Sequence, residues 1–589
     1  MKPLEFFTRN ARLFSAATLL LALGTQALPQ PASDPATDIV KLAGTIEPVV
    51  AKNGMVTSQD AIATRIGVEI LEKGGNAVDA AVAVGFALAV THPRAGNLGG
   101  GGFFVIWLAE KKQAIALDFR EIAPQGIHAK SFLDETGKPD TAKVQRTGLG
   151  VGVPGSVSGL ATAVEKFGSG KFSLADLIAP AIKLAREGIP VESDLAASLN
   201  RFQNTLLRWP SSAKVFAKDG KILQSGLLVQ SDLANTLEAI AKSGPDAFYK
   251  GDIAEKIARA VREAGGVMTA DDLAKYKTEI LEAVRGNYRG HEVLSMPPPS
   301  SGGALLVQLL NILEGYELKD GPNAPQTLHL MVEAMKRAYA DRAEFFGDPA
   351  FVNVPLDRLI SKDYAARIRA NINPVQATPS SQIRAGFNPK KENENTTHYS
   401  VIDQFGNAVS ATVTLNLNFG LGLVAEGTGV LLNNELDDFA LAPGVPNAFG
   451  LIGGEANAPG PGKKPLSSMT PTILLKDGKV FLVTGSPGGS TIITTVLRIV
   501  SGVIDHKLDV AQAVLLPRVH HQWMPDEVRA ERAIERVMPP EQWIAFETYG
   551  HKVNFFGFNI GAANSILVTP EGITAVSDPR YLGTLAAGH

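Results

Sequence analysis

From Ser58 to Gly75 the apolar residues Ile62, Ile66 and Ile70 repeat on one helical face, with Ser58 as the predicted N-cap and Gly74-Gly75 as the stop. The next stretch, Asn76 to Val90, is rich in Ala and Val on every side yet too short to span a bilayer, which predicts a helix of the interior. Five glycines then fall within Gly96 to Gly102, ahead of a predicted strand from Phe103 to Leu108. Between about Leu174 and Ile372 the apolar period is helical, as in Leu177, Ile182 and Leu184 and again in Leu328, Met331 and Met335. Within that region, Pro297-Pro298-Pro299 before Ser300-Ser301-Gly302-Gly303 predicts a rigid turn into a buried helix.

After Thr396 the pattern changes to that of strands. His398 to Asp403 and Ala408 to Leu415 flank a Gln404-Phe405-Gly406-Asn407 turn, and Thr472 to Leu475 and Val480 to Thr484 flank Asp477-Gly478. A third pair, Ser565 to Val568 and Ile573 to Val576, lies across Pro570-Glu571-Gly572. Thr396 therefore heads the first strand of a strand-rich C-terminal portion.

The N-terminus changes this picture. Lys2, Arg9 and Arg12 precede a mostly apolar run from Leu13 to Leu23 and small residues at Thr25-Gln26-Ala27, the pattern of an export signal over residues 1–27. Residues 28–44, rich in Pro, Asp and Ala, read as a disordered linker. The run is too short for a membrane anchor, so a periplasmic or secreted protein without a membrane span is expected. The chain of 589 residues contains no Cys, which excludes disulfide and thiol chemistry. A net charge of −3, with no basic stripe, gives no footprint for a nucleic acid.

Candidate chemistry is narrowed by what fails. No G-x-G-x-x-G register fits Gly96 to Gly102, and that run precedes a strand where the dinucleotide fingerprint follows one. Gly168-Ser169-Gly170-Lys171 is followed by Phe172, so it is no phosphate loop, and neither a G-x-S-x-G elbow nor H-E-x-x-H occurs. What remains is Asn395-Thr396-Thr397-His398-Tyr399-Ser400. A Thr that heads a strand becomes a nucleophile if the bond before it is cut, because its new α-amine then serves as its own base.

The segments Gly96-Asn97-Leu98-Gly99-Gly100-Gly101-Gly102, Asp118-Phe119-Arg120-Glu121, Met296 to Gly303, Thr396 to Ser400, Pro465-Leu466-Ser467-Ser468-Met469 and Gly485-Ser486-Pro487-Gly488-Gly489-Ser490 resemble, in order, those of the γ-glutamyltranspeptidases. The likeness runs from about Gly54 to the C-terminus. It implies an α+β fold, the N-terminal nucleophile hydrolase four-layer αββα sandwich. It also implies self-cleavage between Asn395 and Thr396 into a large subunit, 45–395, and a small subunit, 396–589, which stay together as a heterodimer.

The resemblance implies roles as well. Thr396 is the nucleophile, Thr414 hydrogen-bonds it, and the N–H groups of Gly488 and Gly489 receive the oxyanion. Arg120, with Ser467 and Ser468, clamps the α-carboxylate of a γ-glutamyl donor, while Asn416, Glu435 and Asp438 accept its α-ammonium. On spacing alone, an Arg120 salt bridge to Asp118 or Glu121, and a plain turn at Ser467-Ser468, are the better readings. For Asp437 a solvated turn is the credible one. Thr412 shares the parity of Thr414, but its place is explained by the preference of Thr for strands.

Phe449 falls where a lid over the site in bacterial members often carries Tyr, within Pro443 to Gly454, so a lock through a phenolic hydroxyl is lost. The implied donors are glutathione and related γ-glutamyl compounds, the acceptors water, amino acids or dipeptides, and no cofactor or metal is required. Two other readings stay open: an acylase of the same fold acting on glutaryl-cephalosporin or poly-γ-glutamate, and an uncut, inactive binding or scaffold protein.

Overall fold

Two antiparallel sheets of seven strands each lie face to face in the computed structural model, which describes residues 39–383, 396–556 and 559–589. One sheet runs Val49–Ala51, Gly572–Ser577, Asn564–Thr569, Lys479–Thr484, Thr472–Lys476, His291–Ser295, Val284–Tyr288. The other runs Leu585–Gly588, Met55–Ser58, Thr397–Ile402, Ala408–Thr414, Gly101–Leu108, Gln113–Phe119, Glu279–Glu282.

The period of two assigns each strand's residues to two different cores. Phe103, Val105 and Trp107 pack with Ile473, Val483 and Ile566 between the sheets. Their neighbours Phe104, Ile106 and Leu108 turn outward to the helices Ala61–Glu72, Ala77–Thr91 and Leu174–Glu187. On the far side, Leu474 and Leu482 meet the helices Gly302–Leu313, Pro325–Phe345 and Ile492–Ile504. The result is the expected four-layer αββα sandwich.

The helix Ala77–Thr91 is buried along its whole length, as its uniform apolarity predicts, and Asn76 caps it by accepting from Val78 N and Asp79 N. The first helix differs at its start. It spans Ala61–Glu72 and is capped by Asp60, whose carboxylate accepts from Ala63 N at 2.8 Å, while Ser58 closes the strand Met55–Ser58.

Within the stretch expected to be a linker, Ile39–Leu42 forms a short helix with Ile39 buried; residues 28–38 and the expected signal lie outside the described residues. The helical reading of the middle region is broken by Glu279–Glu282, Val284–Tyr288 and His291–Ser295, which complete an edge of each sheet. The last two are joined through Arg289 and Gly290, both at positive φ (46° and 80°), the conformation of a two-residue hairpin turn. The strand-rich portion also contains the helix Ile492–Ile504, buried throughout. Among the described residues no helix is long and apolar enough to cross a membrane.

Both sheets combine strands from before and after residue 396. Thr397–Ile402 lies between Met55–Ser58 and Ala408–Thr414, and the latter pairs in turn with Gly101–Leu108. Glycine crowding before that last strand has a steric cause. A Cβ on Gly99 would stand 2.0 Å from Leu431 O, and one on Gly100 would stand 2.2 Å from Thr414 O. Backbone therefore passes against backbone beside the head of the strand that Thr396 opens.

Candidate active site

Thr396 directly precedes the strand Thr397–Ile402 and is 5% exposed. Thr397 pairs with Val413, and continuing that register brings Thr396 level with Thr414. Thr396, Thr414, Asn416, Arg120, Glu435, Asp438, Ser467, Ser468, Gly489 and Phe449 line one cavity. Gly488 stands one residue back, at the start of the short turn Gly489–Thr491. Asn395 lies outside the described residues.

Thr414 Oγ1 accepts from Asn416 N at 2.8 Å, and Asn416, held at φ 73°, donates its Nδ2 to Asn434 O at 2.9 Å. The amide oxygen of Asn416 is buried and has no hydrogen-bond partner among the described residues, which leaves an acceptor at the cavity it lines. His398, two residues from Thr396, is spent on structure. Its ring bonds Thr412 Oγ1 at 2.9 Å and Ser400 Oγ at 3.1 Å, and burial lowers its pKa to about 3. Thr412 thus holds a histidine rather than lining the site.

Arg120 is the electrostatic centre. One terminal nitrogen bonds Glu435, the other bonds Asp438 Oδ2 at 2.6 Å, and Nε reaches Pro465 O at 3.2 Å. The two salt bridges favoured by spacing are secondary: Asp118 is paired to Lys464 Nζ at 2.7 Å, and Glu121 is 4.0 Å from Arg120 Nη1. Ser467 and Ser468 form no plain turn. The Ser467 carbonyl accepts from Ser301 N at 2.9 Å and Ser301 Oγ at 2.8 Å, which ties the pair to the turn after the three prolines. Both hydroxyls act as acceptors, Ser467 Oγ from Met469 N at 3.1 Å and Ser468 Oγ from Arg342 Nη2 at 3.1 Å.

Glu121 sits behind the guanidinium with neither carboxylate oxygen hydrogen-bonded among the described residues. Burial pushes its carboxyl up to about 7 against the pull of Arg120, and burial likewise raises Glu435 and Asp438. A carboxyl raised in the folded state holds its proton longer there than in the unfolded chain, so ionising it costs stability as pH climbs from the ordinary carboxylate range through about 7. Glu121→Gln removes that ionisation. Its melting temperature is expected to exceed the wild type's at about pH 8 and to approach it at about pH 5. A calorimetric difference that does not grow between those two conditions would count against the assignment.

The segment expected to form a lid is tied down without a phenol. Phe449 is buried, and a Cβ on Gly489 would meet its ring at 2.4 Å. Asn447 Nδ2 donates to Asp438 Oδ1 at 2.9 Å, Ala448 N donates to Asp437 Oδ2 at 2.8 Å, and Gln522 Nε2 donates to Gly450 O at 3.0 Å. Asp437 is accordingly no solvated turn residue: it is fully buried, accepts also from Gln145 Nε2 at 3.0 Å, and burial raises its pKa to about 6.

Sequence reasoning missed Arg342, Asn447 and Gln522, and met Glu121 only as a possible partner of Arg120. Asn447 and Gln522 act through backbone of a Gly- and Pro-rich segment, where no periodic signal exists. Arg342 reads as one more charge on a long helix.

A two-sheet sandwich between helical layers, with a strand-heading Thr beside a second Thr and a glycine turn, defines the class of N-terminal nucleophile hydrolases. The γ-glutamyltranspeptidase family model matches residues 63–588, and the chain belongs to that family. It is 50% identical over 546 residues to a glutathione hydrolase proenzyme of Escherichia coli (strain K12), covering 92% of this chain and 93% of that one. It is also 37% identical over 550 residues to the Acylase ACY 1 proenzyme of Pseudomonas sp. (strain SE83), covering 92% and 94%. Among solved structures, Helicobacter pylori γ-glutamyltranspeptidase aligns with 44% identity and a TM-score of 0.55 over 58% of this chain and 96% of that one.

Proposed function

We propose that this protein is an autoprocessed γ-glutamyltransferase and glutathione hydrolase, exported to a periplasm or beyond by residues 1–27. The observation that carries this reading is that one small cavity is lined both by Thr396 and by a charged cluster of Arg120, Glu435 and Asp438. A γ-glutamyl group has a carbonyl at one end and a zwitterion at the other. Its α-carboxylate suits Arg120 and the two serine hydroxyls, and its α-ammonium suits Asp438, Glu435 and the unpartnered oxygen of Asn416.

Maturation begins when Thr396 Oγ attacks the Asn395 carbonyl. The amide shifts to an ester, water hydrolyses the ester, and Thr396 keeps a free α-amine. That amine has a reference pKa near 8, so at neutral pH a fraction is unprotonated and takes the Oγ proton.

Oγ then attacks the γ-carbonyl of the donor. The N–H groups of Gly488 and Gly489 receive the oxyanion, and the ammonium of Thr396 protonates the departing amine. Glutathione would release cysteinylglycine. Water, or the amine of an amino acid or dipeptide, next attacks the acyl-enzyme and restores Thr396.

The relative named as an acylase keeps a second reading in view, a donor acyl group without the amine. A largely buried carboxylate such as Asp438, facing an acyl chain with no cation to offer, disfavours it. Turnover of γ-glutamyl-p-nitroanilide against glutaryl-p-nitroanilide separates the two. The γ-glutamyl compound is expected to be preferred, and a clear preference for the glutaryl compound would overturn the proposal. A denaturing gel of the active protein is expected to show two bands, of about 40 and about 20 kDa at domain-scale chain lengths. One band only would return the inactive, uncut reading.

A further inference from the structure

Arg342 stands on the inner side of the helix Pro325–Phe345, only 4% exposed, and forms no salt bridge among the described residues. Its Nε donates to Ser301 Oγ at 2.9 Å and its Nη2 to Ser468 Oγ at 3.1 Å. A buried guanidinium without a hydrogen-bonded carboxylate is expensive, and the Asp438 carboxylate acts on Arg342 through its charge alone, with no salt bridge between them. Burial lowers its pKa to about 10, so it remains charged at neutral pH. Arg120, in contrast, already has Asp438 at 2.6 Å, Glu435 on its other nitrogen and Glu121 at 4.0 Å.

The serine hydroxyls carry the second part of the argument. A hydroxyl has one proton to give. Ser467 Oγ accepts from Met469 N and Ser468 Oγ accepts from Arg342, while neither donates to any described residue. Both protons are therefore available to the cavity that Ser467 and Ser468 line. A donor bond into Ser468 Oγ polarises its O–H and strengthens the bond that O–H makes onward.

We propose that Arg342 is a positioning and specificity-determining residue for the α-carboxylate of the donor substrate: it commits the Ser468 hydroxyl to donate and, through that hydroxyl, brings positive charge to bear on the incoming anion. The inference rests on the γ-glutamyl reading above. It deepens that reading by dividing the cationic work, with Arg120 held largely by the acids that meet the ammonium and Arg342 reserved, through Ser468, for the carboxylate.

The test compares γ-glutamyl-p-nitroanilide with 4-aminobutyryl-p-nitroanilide, which keeps the amine and lacks the α-carboxylate. In Arg342→Met, KM for the γ-glutamyl compound is expected to rise by about 10- to 100-fold with kcat nearly unchanged, while kcat/KM for the 4-aminobutyryl compound changes by less than about threefold. Arg342→Lys is expected to recover most of the loss. In a Ser468→Ala background, adding Arg342→Met is expected to cost less than about threefold more, because its route is already gone.

Equal losses on both substrates, or full additivity with Ser468→Ala, would overturn the proposal. Processing on a gel and the melting temperature report whether Arg342→Met has folded. If it has not, the cycle of Arg342→Gln, which keeps a polar side chain and removes the charge, with Ser468→Ala decides the matter by the same criterion. Should the wild type prefer glutaryl-p-nitroanilide, the functional reading fails by itself. The carboxylate contrast is then read from the glutaryl compound against butyryl-p-nitroanilide, which lacks only the carboxylate.

Discussion

Thr396→Ala is expected to migrate as one uncut chain, short of the full 62.3 kDa by any leader removed, and to show no measurable transfer or hydrolysis. Both losses follow from one oxygen, because the proposed processing and turnover each begin with attack by Thr396 Oγ. Even a cut form lacking that oxygen should lose at least about 10⁴-fold in kcat, since the cavity and the Gly488-Gly489 turn could then bind but not acylate. Thr396→Ser keeps the hydroxyl and is expected to process and to retain activity. Intact-mass spectrometry with single-turnover kinetics reads all of this. A Thr396→Ala chain cut at the same bond would assign the cleavage to an outside protease, and an uncut wild type with activity would remove the N-terminal amine from the mechanism.

Asp438→Asn is the second large effect. Asp438 binds the Arg120 guanidinium at 2.6 Å and Asn447 of the lid at 2.9 Å, and it lines the cavity. Removing its charge leaves the donor's ammonium without a full counter-charge in a buried place, and kcat/KM for γ-glutamyl-p-nitroanilide is expected to fall by about 10²- to 10³-fold. Glutaryl-p-nitroanilide offers no ammonium, so its kcat/KM should stay level or rise. The ratio between the two is the diagnostic quantity. A lid loosened by the lost charge would slow both compounds together, whereas a missing counter-charge slows one.

The elements that could be read from the chain are those whose evidence is local. The strand pair around Gln404-Phe405-Gly406-Asn407 appears as Thr397–Ile402 and Ala408–Thr414, within a residue of expectation, because alternation and a tight turn specify it. Asn76 was legible as a helix start for the same reason. Ser58 was not legible as a strand end, since its partners in the sheet, Leu585 and its neighbours, come from the opposite end of the chain. Glu279–Glu282 fails for a like reason: a short, half-polar edge strand takes its identity from Gln113–Phe119 beside it.

In the site, motifs located Thr396, Arg120 and Ser467-Ser468, but not what each is bound to. Spacing suggested Asp118 as a partner for Arg120, and the fold gives Asp118 to Lys464 instead. Arg342 illustrates the limit best. Among Lys336, Arg337 and Asp341 it reads as an ordinary helix charge, and only the packing of that helix against Ser301 and Ser468 makes it a buried cation. The lid segment shows the reverse. The phenolic lock is lost, yet the Asn447 amide ties the segment to Asp438 and the Gln522 amide holds its backbone.

The mixing, in both sheets, of strands from the two sides of residue 396 bears on how this molecule ages. While the chain is whole, the segments that meet in each sheet are tethered and find one another at the high effective concentration of a single polymer. Once the bond before Thr396 is gone, a melted molecule becomes two strangers whose reunion slows with dilution. On the proposed processing, the mature enzyme is a form that was folded once and is afterwards preserved by a slow unfolding step rather than by ready refolding. Heated and cooled at low concentration, the uncut Thr396→Ala chain should come back where the processed pair does not.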